Sequence, residues 1–577
     1  MGTVGYMSPE QLCGETVGAP SDIFALGAVL YEMLAGRRAF DGRTAQDMLS
    51  AILRDDPPDL ASVGTSIPAD LIRIVSHCLE KNAGERFQSA RDLAFALKTV
   101  ASGGSASRPS SETIDSIAVL PFENASRDPD VEYLSDGITE TIINRLTQLA
   151  GLRVTPRSTV FHYKGREIDP QVAGREIGAQ VVLTGRILQR GDRLVVGAEL
   201  IDVAQQAQLW GERFTRKLAD IFAIEEELAS RISESLRGRL TRDDRQRLTR
   251  RSTEDSEAYR LYLRGRHAFN RRTPASLQHS LRHFAQAIER DPEYALAYSG
   301  LCDSYSVLSY IGVMDPGHVW PKCREAATRA VAIDDSLAEA HTSLGSVRAF
   351  ADWNWREAED EFRRAVELNP RYVQARTWYA FQVLAPLGRF DEAAAQIRFA
   401  LDVEPLSPTV NLHAAMVALQ QHHTEKAIEY ASSALELDPG FVFAHVWLAM
   451  AYELQHQHDA AIAEFEKAVV PLREAAVGWQ GLLAHALACA GRRGEADTIV
   501  ADLVRCADER YVDAVLRAAA HVGLDQPKEA IDCLERAADD RSALLVVGYP
   551  VLDPLRSDAR FARLMARLGL PANPRAN

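Results

Sequence analysis

Apolar residues in the C-terminal half of the chain recur at helical spacing. Ala461, Phe465 and Ala468 stand at i, i+4 and i+7, which puts them on one face of a helix. Leu448, Ala449 and Tyr452 make the matching face of the helix before it. The small alanines let the two helices approach closely, and Phe465 fills the space between them. Such a pair cannot bury its apolar face alone, so it must stack on neighbours of the same design. The neighbours are present. A small or large apolar residue, then Ala, then an acid or Asn followed by Pro, recurs along the chain. It reads Phe284, Ala287, Asp291-Pro292, and again Ala358, Phe362, Ala365, Asn369-Pro370. It returns as Ala393, Ile397, Ala400, Glu404-Pro405 and as Ala427, Ala431, Ala434, Asp438-Pro439. Each proline stops its helix, because it lacks an N–H and clashes with the preceding turn.

Pro370, Pro405 and Pro439 recur at a period of about 34 to 35 residues, and on these residues the stretch 256–570 resembles the tetratricopeptide repeat (TPR) family. Two copies depart from the pattern. One has Asp335 in place of Pro and an insert around Tyr310–Trp320; the last, around Ala530–Ala537, lacks the Pro and runs into Leu552–Leu570, read as a cap. The resemblance implies an α-solenoid with a concave groove lined by the inner helices. Groove candidates are Tyr298, Tyr305, His341, Arg348, Arg376, Tyr379, His413, His445 and Trp447. In such a groove Arg or Lys with Asn clamps a peptide carboxylate and aromatics take apolar anchors. Packing against core or surface is the plainer expectation for each of them.

Residues 114–240 have another texture. Ser116–Phe122 reads as a short strand, and Ile138, Ile142, Leu146 and Leu149 share one helix face with Asp136 as a candidate cap. Strands are expected at Leu152–Val154 and Gln208–Phe214, with helices at Val172–Ile177 and Ile221–Leu240. Gln180–Gln189 and Arg193–Asp202 form a hairpin around Arg190-Gly191-Asp192. This order is that of a small α/β sandwich. The stretches Ala118–Phe122, Tyr133–Glu140, Tyr163-Lys164-Gly165, Arg193-Leu194 and Leu209-Trp210 resemble the TolB-like amino-terminal domain. That resemblance implies an adaptor or sensing role and carries no chemistry. Asp136 and Glu140 are read as a helix cap and a surface acid, not as a catalytic pair.

The first hundred residues open with Gly2-Thr3-Val4-Gly5-Tyr6-Met7-Ser8-Pro9-Glu10. With Ser21–Leu34, Cys78–Asn82 and Glu85-Arg86-Phe87 in the right order, they resemble the C-lobe of a serine/threonine protein kinase, beginning at the end of its activation segment. The resemblance places Thr3 in the substrate loop, pairs Glu10 with Arg86, sets Asp22 beneath the catalytic loop, and gives Gly27 a structural place in the long buried helix. It also implies what phosphoryl transfer needs upstream: a Gly-rich loop, a Lys on the third strand, a catalytic Asp with its Asn, and a metal-binding Asp. Only Met1 precedes Gly2, so the expectation is a catalytically silent, truncated C-lobe with no catalytic residue. ATP and magnesium enter only if the native protein carries the missing kinase half. Residues 101–113, rich in Gly, Ser and Pro, read as a flexible linker, and 241–255 as a connector.

Composition narrows this picture. A net charge of −15 argues against nucleic acid as a partner, and the basic run Arg242–Arg251 reads as a solvated helix end. The seven cysteines form no C-x-x-C pair, which fits a reducing compartment and no zinc or disulfide framework. His422-His423 with His456 and His458 fall in turns and helix ends, so no metal is expected. No apolar run is long enough for a membrane span. The expected protein is mainly α and cytoplasmic: a kinase C-lobe segment, an α/β middle domain and a TPR solenoid. It is read as a scaffold that binds a protein or peptide in the groove, or as the C-terminal part of an active kinase.

Overall fold

The computed structural model describes residues 4–574 apart from 15–16, 42–43, 56, 59, 61–66, 68, 84–85, 88–89, 91–92, 95–96, 98–113, 148, 150–151, 167 and 236–250. Thr3, the 101–113 linker and most of the basic run therefore lie outside the described residues. The chain divides into two compact units, Met1–Glu112 and Thr113–Asn577.

The first unit is helical, with α1 (Pro9–Cys13), α2 (Ala19–Ala35), α3 (Ala45–Arg54) and α4 (Ala69–Cys78). Phe24, Ala28 and Tyr31 of α2 stand at i, i+4 and i+7 and pack on Phe40, Ile52, Val75 and Leu79. Gly27 sits where α2 crosses α4; a Cβ there would lie 2.5 Å from Cys78 Cβ, so only glycine allows this approach. Gly36 ends α2 in the left-handed conformation that glycine adopts without a steric cost. Thr44 caps α3 and forms a capping box with Asp47. Leu26, Val29 and Met33 leave one face of α2 apolar and exposed, Met33 by 75%.

The second unit opens with a mixed sheet. Its strands are β1 (Ser116–Val119), β2 (Glu123–Asn124), β3 (Arg153–Val154), β4 (Val181–Arg190), β5 (Arg193–Asp202) and β6 (Ala207–Lys217). The order is β3-β1-β4-β5-β6, with β2 beside β4. β1 runs parallel to β3 and β4, whereas β4, β5 and β6 form an antiparallel meander. Val181, Val182 and Leu183 are all buried, as a strand covered on both faces requires. β5 alternates instead, burying Leu194, Val196, Ala198 and Leu200. The tight β4–β5 turn puts Gly191 at φ 60.

One helix of this domain starts earlier than its apolar spacing predicts. It runs Glu132–Thr147, after a turn at Pro129–Val131 capped by Asp128. Asp136 is therefore not the cap; it lies in the second turn and is buried. The polar residues that begin this helix remain helical because tertiary partners meet their side chains.

Helix pairs follow, from Ser256–Asn270 with Pro274–Arg290 to Ala514–Gly523 with Pro527–Asp539. The repeated small-large-small positions are buried throughout: Ala358, Phe362 and Ala365, and Ala461, Phe465 and Ala468. Leu448 and Ala449 are buried and Tyr452 half-buried on the facing helix. Phe284 shows how the pairs lock. Its ring lies over Gly265 of the helix before and Gly300 of the helix after, and a Cβ at either would come within 2.5 Å of the ring.

The array does not remain an open groove. After Asp539 the chain returns across it, and the segment read as a cap spans several repeats. Trp320 Nε1 donates to Arg541 O at 2.9 Å and Trp355 Nε1 donates to Leu568 O at 2.7 Å. Gln420 donates to Val547 O, and His422 meets Asp553 at 2.8 Å. The insert around Tyr310–Trp320 supplies a further contact, because Trp479 Nε1 donates to Ile311 O at 2.8 Å. These bonds join residues far apart in sequence and close the superhelix on itself.

A very close approach in the array is at Gly481, where a Cβ would lie 2.0 Å from the Leu516 carbonyl oxygen. A backbone atom cannot swing away, so Gly481→Ala is expected to overpack the helices by about 1–3 kcal/mol. The urea midpoint followed by tryptophan fluorescence reads this directly. An unchanged midpoint would mean that these two helices stand farther apart.

Candidate functional site

The middle domain and the first array helix share one core. Ile138, Leu134 and Val182 belong to the same apolar cluster as Tyr259, Leu263 and Tyr294. Asp136, Gly137, Glu140 and Thr141 share a helix face at i, i+1, i+4 and i+5. That face meets Tyr259, Leu263, Arg266, His267 and Asn270 of the helix Ser256–Asn270. Gly137 makes room for Leu263, whose side chain would lie 2.8–3.0 Å from a Cβ there.

Glu140 receives Arg266 Nη2 at 2.7 Å on one oxygen and Asn270 Nδ2 at 2.9 Å on the other, with Arg157 Nε also at 2.9 Å. Burial by itself pushes the Glu140 carboxyl up, but the charges of Arg266 and Arg157 outweigh it and hold the group below the usual carboxylate range. Asp136 is likewise raised by burial and lowered more by His267 and Lys164, with a net shift downward. Both readings of this acid pair are thereby corrected. Glu140 is no surface acid and Asp136 no cap; they are buried, paired anions at a domain junction. The helix spacing of Asp136 and Glu140 was visible in the sequence, but their partners on the array helix lie more than a hundred residues away.

Beside this junction the middle domain and the array enclose a cleft of about 390 Å³. Arg157, Ser158 and Phe161 line it from the middle domain, and Arg272, Arg371, Tyr372, Trp378 and His413 from the array. Three of its polar atoms are buried without a hydrogen-bond partner: Arg371 Nε, Tyr372 OH and His413 Nδ1. Burial holds Arg272 down to about 10 and pushes His413 down to about 3, where the Arg272 charge adds to the effect. Burial also lowers Arg371, with Arg153 nearby. Two of the acids on the wall are shifted upward, unlike Glu140. Burial raises Glu339 and Glu404, the latter against a bond from Ser158. On this wall Arg157 and Arg266 are paired with Glu140, whereas among the described residues Arg272 and Arg371 form no ion pair.

A second hollow adjoins the cleft and shares Arg272, Trp378, Thr409, His413 and Phe441 with it. Tyr310, Phe350, Phe381 and Phe443 join Trp378 and Phe441 there, so much of its wall is aromatic. Polar donors therefore stand beside an apolar recess.

Of the nine groove candidates, only His413 lines this cleft. Four of the others bond to a neighbouring helix, three of them within their own repeat and Tyr379 to the repeat before. His341 contacts Glu361 at 2.6 Å, Arg376 donates to Gln396 at 2.7 Å, Tyr379 donates to Glu359 at 2.7 Å, and His445 contacts Glu464 at 2.5 Å. Arg348 pairs with Asp352. Tyr298 and Tyr305 are half-buried against the core. Trp447 is fully buried and stacks on Tyr549 at 5.5 Å between ring centroids. That stack explains the error for Trp447: the returning C-terminal segment occupies the place assigned to a ligand. Arg272, Arg371 and Tyr372 were missed because they follow helix ends, where helical periodicity says nothing about side-chain direction.

In the first unit Glu10 and Arg86 form a buried two-point ion pair, with Nη1–Oε1 2.8 Å and Nη2–Oε2 3.0 Å. Ser21 Oγ donates to Glu10 at 2.6 Å, and Arg86 also reaches the carbonyls of Pro20, Glu80 and Lys81. Burial raises the Glu10 carboxyl, yet the bonds from Arg86 and Ser21 bring it down to about 2. Asp22, expected beneath a catalytic loop, is exposed in the first turn of α2. The loop that it would hold has no counterpart among the described residues.

Three family models match separate parts of the chain. Residues 1–95 match the protein kinase domain. Residues 112–231 match the HilA/YgeH-like transcriptional regulator, second domain. Residues 381–441 and 412–476 match the tetratricopeptide repeat. Putative adenylate cyclase 3 of Rhizobium meliloti (strain 1021) is 37% identical over 186 residues, covering 32% of each chain. Serine/threonine-protein kinase PknB of Mycobacterium tuberculosis (strain ATCC 25618 / H37Rv) is 37% identical over 103 residues, 18% of this chain and 16% of that one. The chain thus spans about a third or less of the curated relatives it matches. Among solved structures, TTC0263, a thermophilic TPR protein of Thermus thermophilus, is 20% identical with a TM-score of 0.29, covering 34% of this chain and 99% of that one. The human IFIT1 dimer with m7Gppp-AAAA is 15% identical with a TM-score of 0.40, covering 60% and 76%. The chain combines a kinase-domain segment with tetratricopeptide repeats, the make-up of a protein-interaction scaffold or a kinase-related protein. Among the described residues no helix is long and apolar enough to cross a membrane.

Removing the Glu140 charge leaves Arg266 and Arg157 uncompensated at the junction. Glu140→Gln is expected to cost about 3–5 kcal/mol, measured by urea unfolding with tryptophan fluorescence. The pH dependence has a definite sign. Because the Glu140 carboxyl lies below its unfolded value, its contribution is complete above the usual carboxylate range and is lost as pH falls through the folded value. The variant should therefore show a flatter loss of stability on acidification than the natural chain, and an equally steep acid limb would count against the pairing.

Proposed function

We propose that this chain is a cytoplasmic signalling scaffold that takes an acidic segment of a protein partner into the cleft between its middle domain and its TPR array. The observation that carries this reading is the group of buried polar atoms without partners, the donors Arg371 Nε and Tyr372 OH with His413 Nδ1, beside an aromatic recess. A buried donor left unpaired costs about 1–3 kcal/mol. A carboxylate placed there offsets that cost, and an apolar side chain next to it fills the recess. The middle domain, read as TolB-like, supplies one wall and so positions or senses the bound segment. The kinase segment is catalytically silent in this reading.

The test is fluorescence anisotropy of the full chain with a labelled acidic peptide that ends in Phe, against the same peptide with Asn and Gln for its acids. The acidic peptide is expected to bind at least about tenfold more tightly. Arg371→Ala and Arg272→Ala should each cost about 1.5–3 kcal/mol of binding, the range for hydrogen bonds to charged groups. Equal binding of the two peptides would refute the reading.

The Glu10–Arg86 pair, the exposed apolar face of Leu26, Val29 and Met33, and the likeness to PknB favour a second reading. Here the chain is the C-terminal part of a serine/threonine protein kinase, and ATP and magnesium bind to parts of that enzyme outside these residues. Calorimetry of the native protein from its own cell against magnesium–ATP separates the two readings. The scaffold reading expects no binding heat, and micromolar binding selects the kinase.

A further inference from the structure

The inner helices Val442–Leu454 and Gln480–Cys489 meet at a cluster of three ligand-type side chains. Glu453 closes the first helix; His485 and Cys489 stand at i and i+4 on one face of the second. One ligand atom from each of Glu453, His485 and Cys489 lies within 4.8 Å of the other two. Glu453 and His485 are buried, whereas Cys489 is exposed and opens the cluster to solvent.

We propose that Glu453, His485 and Cys489 bind one divalent cation of the zinc class. The separations carry the argument. His485 Nδ1 lies 3.5 Å from Glu453 Oε2, and Cys489 Sγ lies 3.9 Å from the imidazole. These are long for good hydrogen bonds. Zinc bonds of about 2.0–2.3 Å in tetrahedral geometry put neighbouring ligand atoms about 3.3–3.6 Å apart. These two gaps match those edges within a few tenths of an ångström, and the third pair, Glu453 and Cys489, lies within 4.8 Å. The donor set also suits the metal, because mixed imidazole, carboxylate and thiolate ligands favour zinc. A carboxylate and a thiolate together balance a double positive charge.

The surroundings hold the ligands in place. His458 Nδ1 lies 2.9 Å from the other Glu453 oxygen and fixes the carboxylate as an outer partner. Gly523 lets the helix Ala514–Gly523 rest on the backbone of His485, where a Cβ would come within 2.7 Å of His485 Cα. Three protein ligands leave a fourth position on the open side for water. The cation would staple two successive inner helices of the array. The histidine pattern in the sequence did not reveal it: His458 is an outer partner, His422 anchors Asp553, and the ligands His485 and Cys489 belong to the next helix pair.

The test is titration of the reduced full chain with cobalt(II), a spectroscopic stand-in for zinc. A thiolate-to-cobalt charge-transfer band with tetrahedral visible bands is expected, bleached on adding zinc. Cys489→Ser, at an exposed position, should abolish the charge-transfer band and weaken cobalt binding at least about tenfold. A second measurement needs no variant: zinc should slow alkylation of Cys489 but not of the exposed Cys13. Absence of the charge-transfer band in the natural chain, its persistence in the serine variant, or equal alkylation of Cys489 with and without zinc would overturn the proposal.

Discussion

The second unit depends on two buried carboxylates, Asp136 and Glu140, held between the middle domain and the first helix of the array. A buried anion must find cations and hydrogen-bond donors, and here these come from both sides of the junction: Lys164 and Arg157 from one, His267, Arg266 and Asn270 from the other. Directional bonds of this kind set one orientation, while the surrounding apolar cluster supplies the burial. The first helix pair thus gains a covered end, which a stacked array needs.

A second constraint closes the other side. Tandem repeats left to themselves form an open superhelix, yet here the returning C-terminal segment and the Tyr310–Trp320 insert tie distant repeats together. Tryptophan N–H groups make three of these ties, each to a backbone carbonyl. The array is therefore partly filled by its own chain. What stays open is the cleft against the middle domain, where Arg272 and Arg371 form no ion pair among the described residues. The same packing that removes the broad groove creates the narrower site.

The first unit follows similar physics at smaller scale. Glu10 and Arg86, far apart in sequence, are buried together, and every donor nitrogen of that guanidinium group meets an acceptor. Gly27 permits the close crossing of α2 and α4. The exposed stripe on α2 keeps its apolar character outside that core.

Helical periodicity, small-residue spacing and proline stops were legible in the sequence, because each is a local property of the chain. They placed Ala461, Phe465 and Ala468 in the core, the β4–β5 hairpin at Gly191, and the solenoid as the main architecture. Local patterns could not show which residues meet across long separations. The burial of Asp136 and Glu140, the loss of Trp447 to Tyr549, and the gathering of Arg272, Arg371 and His413 all depend on contacts made only after the chain folds. Sequence by itself determined the elements and their repeat, since these follow from backbone hydrogen bonding and side-chain size. The tertiary structure alone decided where the open site lies, since charge pairing and space filling are set by neighbours that sequence distance does not reveal.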